Sequence, residues 1–284
     1  MYAAIIRNDD IAGPPNSWCG RYAVKNSMNI LRPEVLGVYP TLLSKVVGIL
    51  RNLENEAWEY KTLLPTWRIK DIVAHLVSGA LRKLSSIENA TPTPHRQILD
   101  YKGLVAAINR ENEQWVETIR NLHPNVLIDL LESSYGKLIE KFQEMNPEAT
   151  AIHSVGWAGE SVSANWFDIA REYTELWHHQ AQICDKIEDP TVLDDSFFRP
   201  FIETCFQALS HHYQKLDISA SYVIAIEIPE MEDGVYFFSR ESERWHLKKY
   251  GQKDSMPKSD ARISADKDDL WKVFTNTVDY GSLA

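Results

Sequence analysis

The sequence predicts an α+β protein in which a four-helix bundle precedes a small unit built on an antiparallel sheet. Three observations carry this. Apolar residues recur at helical spacing in long segments as far as about residue 187. Beyond about 217, short stretches rich in β-branched and aromatic residues are separated by turn signals. The chain then closes on an apolar-patterned segment preceded by Asp266, well placed as a helix cap. Helices followed by strands, without alternation, point to segregated α+β architecture.

Taken in order, residues 1–33 contain GPPNSWCG, show neither period and read as a loosely ordered arm, with Met28 an equally good start. Leu42, Leu43, Val46, Val47 and Leu50 form one stripe in a helix expected over about 41–57. The strongest pattern, Ile69 through Leu84, predicts a helix over about 68–89, ending before the TPTP turn at 91–94. A third helix is expected over about 96–121 and a shorter one over about 124–144. The loop SVGWAGESVSAN leads into a helix over about 164–187, so that 34–190 forms the bundle. Residues 191–284 make the C-terminal α+β unit: the helical stretch SFFRPFIETCFQALSHHYQKL, strands in SYVIAIEIPE, VYFFS, RWHLKKY and ARISA, and the final helix DKDDLWKVFTNT.

Composition excludes several functions. With 40 acidic against 30 basic residues the net charge is −10, and there is no basic run to bind a nucleic-acid backbone or an anionic membrane. Three cysteines, Cys19, Cys184 and Cys205, show no CxxC and no disulfide-scaffold spacing, which suits a reducing compartment. The N-terminus lacks a signal-peptide apolar region and no apolar run approaches the roughly 18 residues of a membrane span. A cytoplasmic location is expected. GxSxG, HExxH and phosphate-binding glycine loops do not occur.

The segment REYTELWHHQAQICD, 171–185, carries the chemistry. At about 100° per residue, Glu175 and His179 project roughly 40° apart, and Glu175 and His178 roughly 60° apart on the other side. Asp168, Glu172, Glu175 and His179 recur at steps of four, three and four, forming a polar stripe beside the apolar face of Trp166, Ile169, Tyr173, Leu176 and Trp177. That stripe favours His179 as the companion of Glu175. One carboxylate and one imidazole suit zinc or nickel, and a catalytic metal wants a third protein ligand and an open position. His75 is the best third candidate, beside the stripe of its helix, with the small Gly79 one turn on and Asp71 one turn before to hold its other ring nitrogen. Glu/His pairs also stabilise exposed helices, and a flank histidine is more often solvated, so spacing alone does not choose.

Trp58, Thr62, Trp67, Asp71 and His75, in the stretch from AWEY to LVSG, resemble the entry to the second helix of the mycothiol-dependent maleylpyruvate isomerase family, within the DinB/YfiT-like superfamily. GWAG followed by Arg171, Glu175 and His179 resembles that family's R-x-x-x-E-x-x-x-H segment. ARISADKDDLWKVFT resembles its closing strand and helix, in a C-terminal domain related to sterol-carrier-like folds. The likeness spans roughly 34–284. It implies a DinB/YfiT-like bundle and a metal held by His75, Glu175 and His179. The pattern departs at Gln182, where many members carry aspartate; that position is either beside the ligands or structural.

The resemblance further implies a divalent ion, zinc first and nickel second, with an open position facing a cavity between bundle and C-terminal domain. There it would favour the thiolate of a low-molecular-weight thiol such as mycothiol, or polarise a water. The expected activity is that of a thiol transferase or isomerase acting on an electrophilic or carboxylated substrate. An isomerase adds the thiolate to a conjugated double bond, allows rotation and eliminates it; a transferase stops at the adduct. A hydrolase on the same ligands and a non-catalytic metal-binding stress-response protein are the alternatives. Arg240, Arg244 and Arg262 are candidates for a substrate carboxylate. His211 and His212 read as a solvent-facing pair, Cys184 and Cys205 as core, and GWAGE as a loop lining the cavity.

Overall fold

The computed structural model describes residues 31–64, 66–90, 101–215, 221–241, 244–249 and 257–277. The expected N-terminal arm, apart from 31–33, the TPTP turn, Met28 and Cys19 lie outside them. Among the described residues there are seven α-helices and one four-stranded sheet: α1 Tyr39–Arg51, α2 Ile69–Glu88, α3 Tyr101–Ile119, α4 Pro124–Glu144, α5 Asn165–Lys186, α6 Asp195–His212, β1 Val223–Glu227, β2 Val235–Glu241, β3 Arg244–Lys249, β4 Ala261–Ser264 and α7 Lys267–Phe274.

The helices follow their apolar stripes. In α1, Leu42, Leu43, Val46, Val47 and Leu50 are all buried. The helix stops earlier than the spacing suggests: the chain leaves it at Asn52, extends at Glu54, and uses the 3₁₀ turn Asn55–Glu59 to bury Trp58. α2 places Ile72, Val73, Leu76, Val77 and Ala80 in the core and packs against α4, whose Leu127, Leu131 and Leu138 are fully enclosed. Burying a side chain of this kind contributes about 1.5–3 kcal/mol, so these interlocked stripes rather than helix propensity hold the bundle.

Two named residues close the ends of α2 and α7. Asp71 accepts a hydrogen bond from the Arg68 backbone N–H at 3.1 Å, occupying one free donor of the first turn. Asp266 accepts from the Asp269 N–H at 2.7 Å, as its position in the sequence predicts.

The sheet runs β3-β2-β1-β4, with β1, β2 and β3 antiparallel as expected. β4 adds a parallel edge, pairing Ile226 with Ile263, so the sheet as a whole is mixed. A parallel neighbour cannot follow through a tight hairpin, and β2 and β3 intervene between β1 and β4 in the chain. Aromatic pairs join the sheet to the helices above it: Phe206 of α6 meets Tyr236 edge-on at 5.2 Å and Phe274 of α7 at 5.5 Å. One apolar cluster extends without interruption from Val35 to Trp271.

α5 lies at the centre of this arrangement. Nearly all of it is buried, including Asp168, Arg171, Glu172, His178, His179 and Gln182. α2 and α5 run antiparallel: His75 lies beside Glu175 and His179, whereas Lys83, two turns further along α2, lies beside Asp168 and Glu172. The polar stripe of α5 therefore faces α2 across a closed seam.

Candidate metal centre

Both ends of that seam are polar, for different reasons. At the end near Lys83, two cations and two carboxylates neutralise one another. Lys83 pairs with Asp168 and stands 3.6 Å from Glu172, while Arg171 Nη2 lies 2.5 Å from Asp168 and 2.6 Å from Glu172. Burial alone would raise the Asp168 carboxyl, but Arg171 and Lys83 outweigh it and hold it below its ordinary value. His153 Nδ1 lies 3.2 Å from the Lys83 ammonium. Helical spacing missed this cluster, because a lysine near the end of an amphipathic helix reads as solvated.

At the other end, the charges do not cancel. His75 Nε2 is 3.9 Å and His179 Nε2 is 3.6 Å from Glu175 Oε2, and one ligand atom from each residue falls within 4.8 Å of the others. The two imidazoles meet edge to face, with ring centroids 4.7 Å apart. These are the three residues singled out in the sequence. His178, the competing neighbour, is buried but is turned aside, with its Nε2 on Gln182.

A divalent ion fits this donor set. Zinc binds imidazole nitrogen and carboxylate oxygen at about 2.0–2.2 Å, which places tetrahedral donors about 3.3–3.5 Å apart. The two separations from Glu175 exceed that by a few tenths of an ångström, and all three ligand atoms lie within 4.8 Å of one another. His179 Nε2 is buried and has no hydrogen-bond partner among the described residues, which leaves that ring position available to a ligand. Burial pulls the His75 imidazole down to about 3, against the opposing pull of Glu175, so it is neutral and able to donate. Burial would raise the Glu175 carboxyl, and the facing His179 and His75 side chains pull it the other way.

Local sequence explains what surrounds the three. Thr62 and Trp67 close the loop before α2: the Thr62 N–H donates to the Trp67 carbonyl at 3.0 Å, and the Thr62 hydroxyl donates to it at 3.1 Å. The loop presents the Trp67 ring to both histidines, 5.0 Å from His75 and stacked 6.3 Å from His179. Gly79 leaves open space one turn beyond His75, where a Cβ would meet nothing within 4 Å. Gln182 sits beside the ligands, its Oε1 2.9 Å from His179 Nδ1.

Residues 41–184 match the family described as mycothiol maleylpyruvate isomerase N-terminal domain. The chain belongs to that family. Two solved structures resemble it: a crystal structure of a histidine-to-alanine mutant of the mycothiol-dependent maleylpyruvate isomerase, at 12% identity and a TM-score of 0.50, covering 86% of this chain and 90% of that one; and a crystal structure of the mycothiol-dependent maleylpyruvate isomerase, also at 12% identity, with a TM-score of 0.49 and coverages of 85% and 89%. At that identity the first shows a shared fold, reaching past the bundle into the C-terminal part. No curated protein matches the chain.

The remaining expectations divide. Asp71 does not hold His75: as the third residue of α2 it is committed to the Arg68 N–H, and its Oδ1 faces Arg120 Nε at 3.4 Å. The other ring nitrogen of His75 has no hydrogen-bond partner among the described residues. His211 and His212 are half-buried rather than solvent-facing, because the GWAGE loop packs on them. His212 Nε2 lies 3.2 Å from the Trp157 carbonyl, and a Cβ at Gly159, whose φ is +80°, would strike the His211 ring. The same loop joins Val155, Trp157, Phe167 and Ala208 in a small cluster of its own.

Arg262 is exposed and pairs with Glu227, Arg240 donates its backbone N–H to the Tyr222 carbonyl, and the side chain of Arg244 lies outside the described residues. Cys184 borders a cavity of about 330 Å³ between α5 and α7, shared with Asp185, Asp189 and Trp271 and separate from the metal ligands. Its thiol is pushed up to about 12, chiefly by burial. Cys205, fully enclosed, is raised as well. Both are core residues, as their positions predict.

Proposed function

We propose that the chain is a metal-dependent thiol transferase or isomerase of the maleylpyruvate isomerase kind, with His75, Glu175 and His179 holding one divalent ion, zinc first and nickel second. The convergence of these side chains from two helices carries the reading. Family membership supports a small-molecule thiol, mycothiol by the family's name, and maleylpyruvate or a related electrophile as its partner. When bound, the ion would favour the thiolate form of that thiol.

The chain's own residues have separable tasks. Glu175 supplies the negative charge that makes a dication tolerable in a buried seam. His75 and His179 each contribute a ring nitrogen, and Gln182 orients the second. Trp67 roofs both rings with an apolar face and shields the thiol from bulk water. Glu175, with 14% of its side chain exposed, marks the open side. A division near residue 190 into a metal-holding bundle and a C-terminal unit that contacts substrate belongs to the same proposal, as does a cytoplasmic setting. No described helix is long and apolar enough to cross a membrane.

The test begins with metal analysis of protein purified without a histidine tag. One equivalent of divalent ion in the wild type and none in His75→Ala supports the centre. Loaded protein is then given thiols and conjugated electrophiles. A thioether adduct indicates transfer, and isomerised product with thiol returned indicates isomerisation. Hydrolysis alone overturns the thiol assignment, and absence of metal in the wild type overturns the centre.

A further inference from the structure

Gln182 touches two histidines at once. Its Oε1 lies 2.9 Å from His179 Nδ1 and its Nε2 lies 2.9 Å from His178 Nε2. All three side chains are at most 2% exposed, so water does not compete for these bonds. An amide donates from one end and accepts at the other, and each neutral imidazole does the same. The three groups therefore have two self-consistent arrangements.

In the first, Gln182 Oε1 accepts from His179 Nδ1–H and Gln182 Nε2 donates to His178 Nε2. His179 Nε2 is then a bare lone pair facing Glu175, ready to ligate. His178 must carry its proton on Nδ1, which is buried and has no partner among the described residues. In the second, the amide is turned over. Gln182 Nε2 donates to His179 Nδ1, and Oε1 accepts from His178 Nε2–H. His179 Nε2–H now points at Glu175 Oε2, 3.6 Å away, and His178 Nδ1 is a lone pair. A buried N–H without an acceptor is harder to hold than a bare lone pair, so the second arrangement suits the empty centre and the first the filled one.

We infer that Gln182 is a positioning residue that sets the tautomer of His179, and that its amide turns over as the centre fills, moving the proton of His178 from Nε2 to Nδ1. The inference rests on the metal reading above. In this exchange each ring trades one N–H for the other, so no net proton is taken up or released. The partner that triggers the change is a divalent cation at His75, Glu175 and His179, and His178 reports it without ligating.

The experiment is two-bond ¹H–¹⁵N correlation of histidine-labelled full chain, with and without Zn(II), beside zinc affinity by competition with a chelator. In the wild type His178 should change from the Nε2–H to the Nδ1–H tautomer on zinc saturation. Gln182→Leu should lose that change and bind zinc about 10–100-fold more weakly. Gln182→Glu offers two acceptors and no donor, so it should bind zinc at least as tightly as wild type while His178 stays Nε2–H throughout. If Gln182→Leu fails to fold, the glutamate variant decides. A zinc-saturated wild type whose His178 keeps one tautomer overturns the relay and leaves the centre intact. A wild type that binds no more zinc than His75→Ala overturns the centre, and the relay with it.

Discussion

His75 Nε2 stands 3.9 Å from Glu175 Oε2, although the two residues belong to different helices and lie far apart in the chain. Antiparallel packing of α2 on α5 produces the approach, and it makes His75 the ligand whose removal is most informative. In His75→Ala the remaining Glu175 and His179 come from one helix and leave two donors for the ion. Bound metal should fall from one equivalent to none after dialysis, with the helical circular dichroism retained. Equal metal content in both proteins would show that the ion lies elsewhere.

Asp71 separates a cap from a ligand support. Its carboxylate completes the first turn of α2 and faces Arg120, so Asp71→Ala should destabilise the protein by about 1 kcal/mol in urea unfolding. Metal affinity should stay within about twofold of wild type, well short of the 10–100-fold loss typical of a residue that orients a ligand. A large loss of affinity would restore Asp71 to the neighbourhood of His75.

Lys83 is 5% exposed and is shared between Asp168 and Glu172. Replacing it by methionine keeps most of the volume but leaves two buried carboxylates with Arg171 as their main counter-charge. Lys83→Met should cost about 3–5 kcal/mol. Adding Asp168→Asn, which removes one of the stranded charges, should recover a good part of that loss. If Lys83→Met unfolds like wild type, the seam is not held by this network.

Acid should weaken the metal-free protein through its buried histidines. His75 is held near 3 in the folded chain, below the ordinary value of 6.5, and His178 is lowered in the same way by burial. Between those limits the unfolded chain binds a proton that the folded chain refuses. The contribution of His75 is therefore complete above about 6.5 and is lost as pH falls towards 3, at about 1.4 kcal/mol per pH unit well below 6.5. Unfolding at pH 7.5 and 5 should show a smaller drop for His75→Gln than for wild type. Equal drops would mean that His75 is protonated without penalty.

Thiol chemistry should not come from Cys184 or Cys205, the two cysteines among the described residues. With Cys184 pushed up to about 12 and both Cys184 and Cys205 buried, neither forms a thiolate at neutral pH. In the folded protein, a thiol-reactive chromogen should label neither of them within minutes. Rapid labelling of Cys184 would make it a candidate nucleophile beside the cavity it borders.

Much of the fold was legible because periodicity records which side of an element is dry. α2 and α4 fall where their apolar residues place them, and α1 ends early only because Trp58 is buried through a turn instead of a helical face. Glu175 and His179 were legible for the same reason: one turn of helix brings them together whatever surrounds it. His75 was suggested by its neighbours and by family resemblance, and packing brought it within reach. The roles of Asp71, Gln182, Lys83, His211 and His212 were not legible, since each depends on a residue from another element or on competition for one hydrogen bond.

Local order, then, came from the chain alone: helical stripes, strand composition, caps and the Glu175–His179 pair depend on residues close in sequence. Tertiary structure decided which charges cancel and which remain available. Arg171, Lys83, Asp168 and Glu172 neutralise one another at one end of the α2–α5 seam, leaving Glu175 between two imidazoles at the other. Coulomb interactions act through space and strengthen when water is excluded, so no reading along the chain could assign them before the helices were packed.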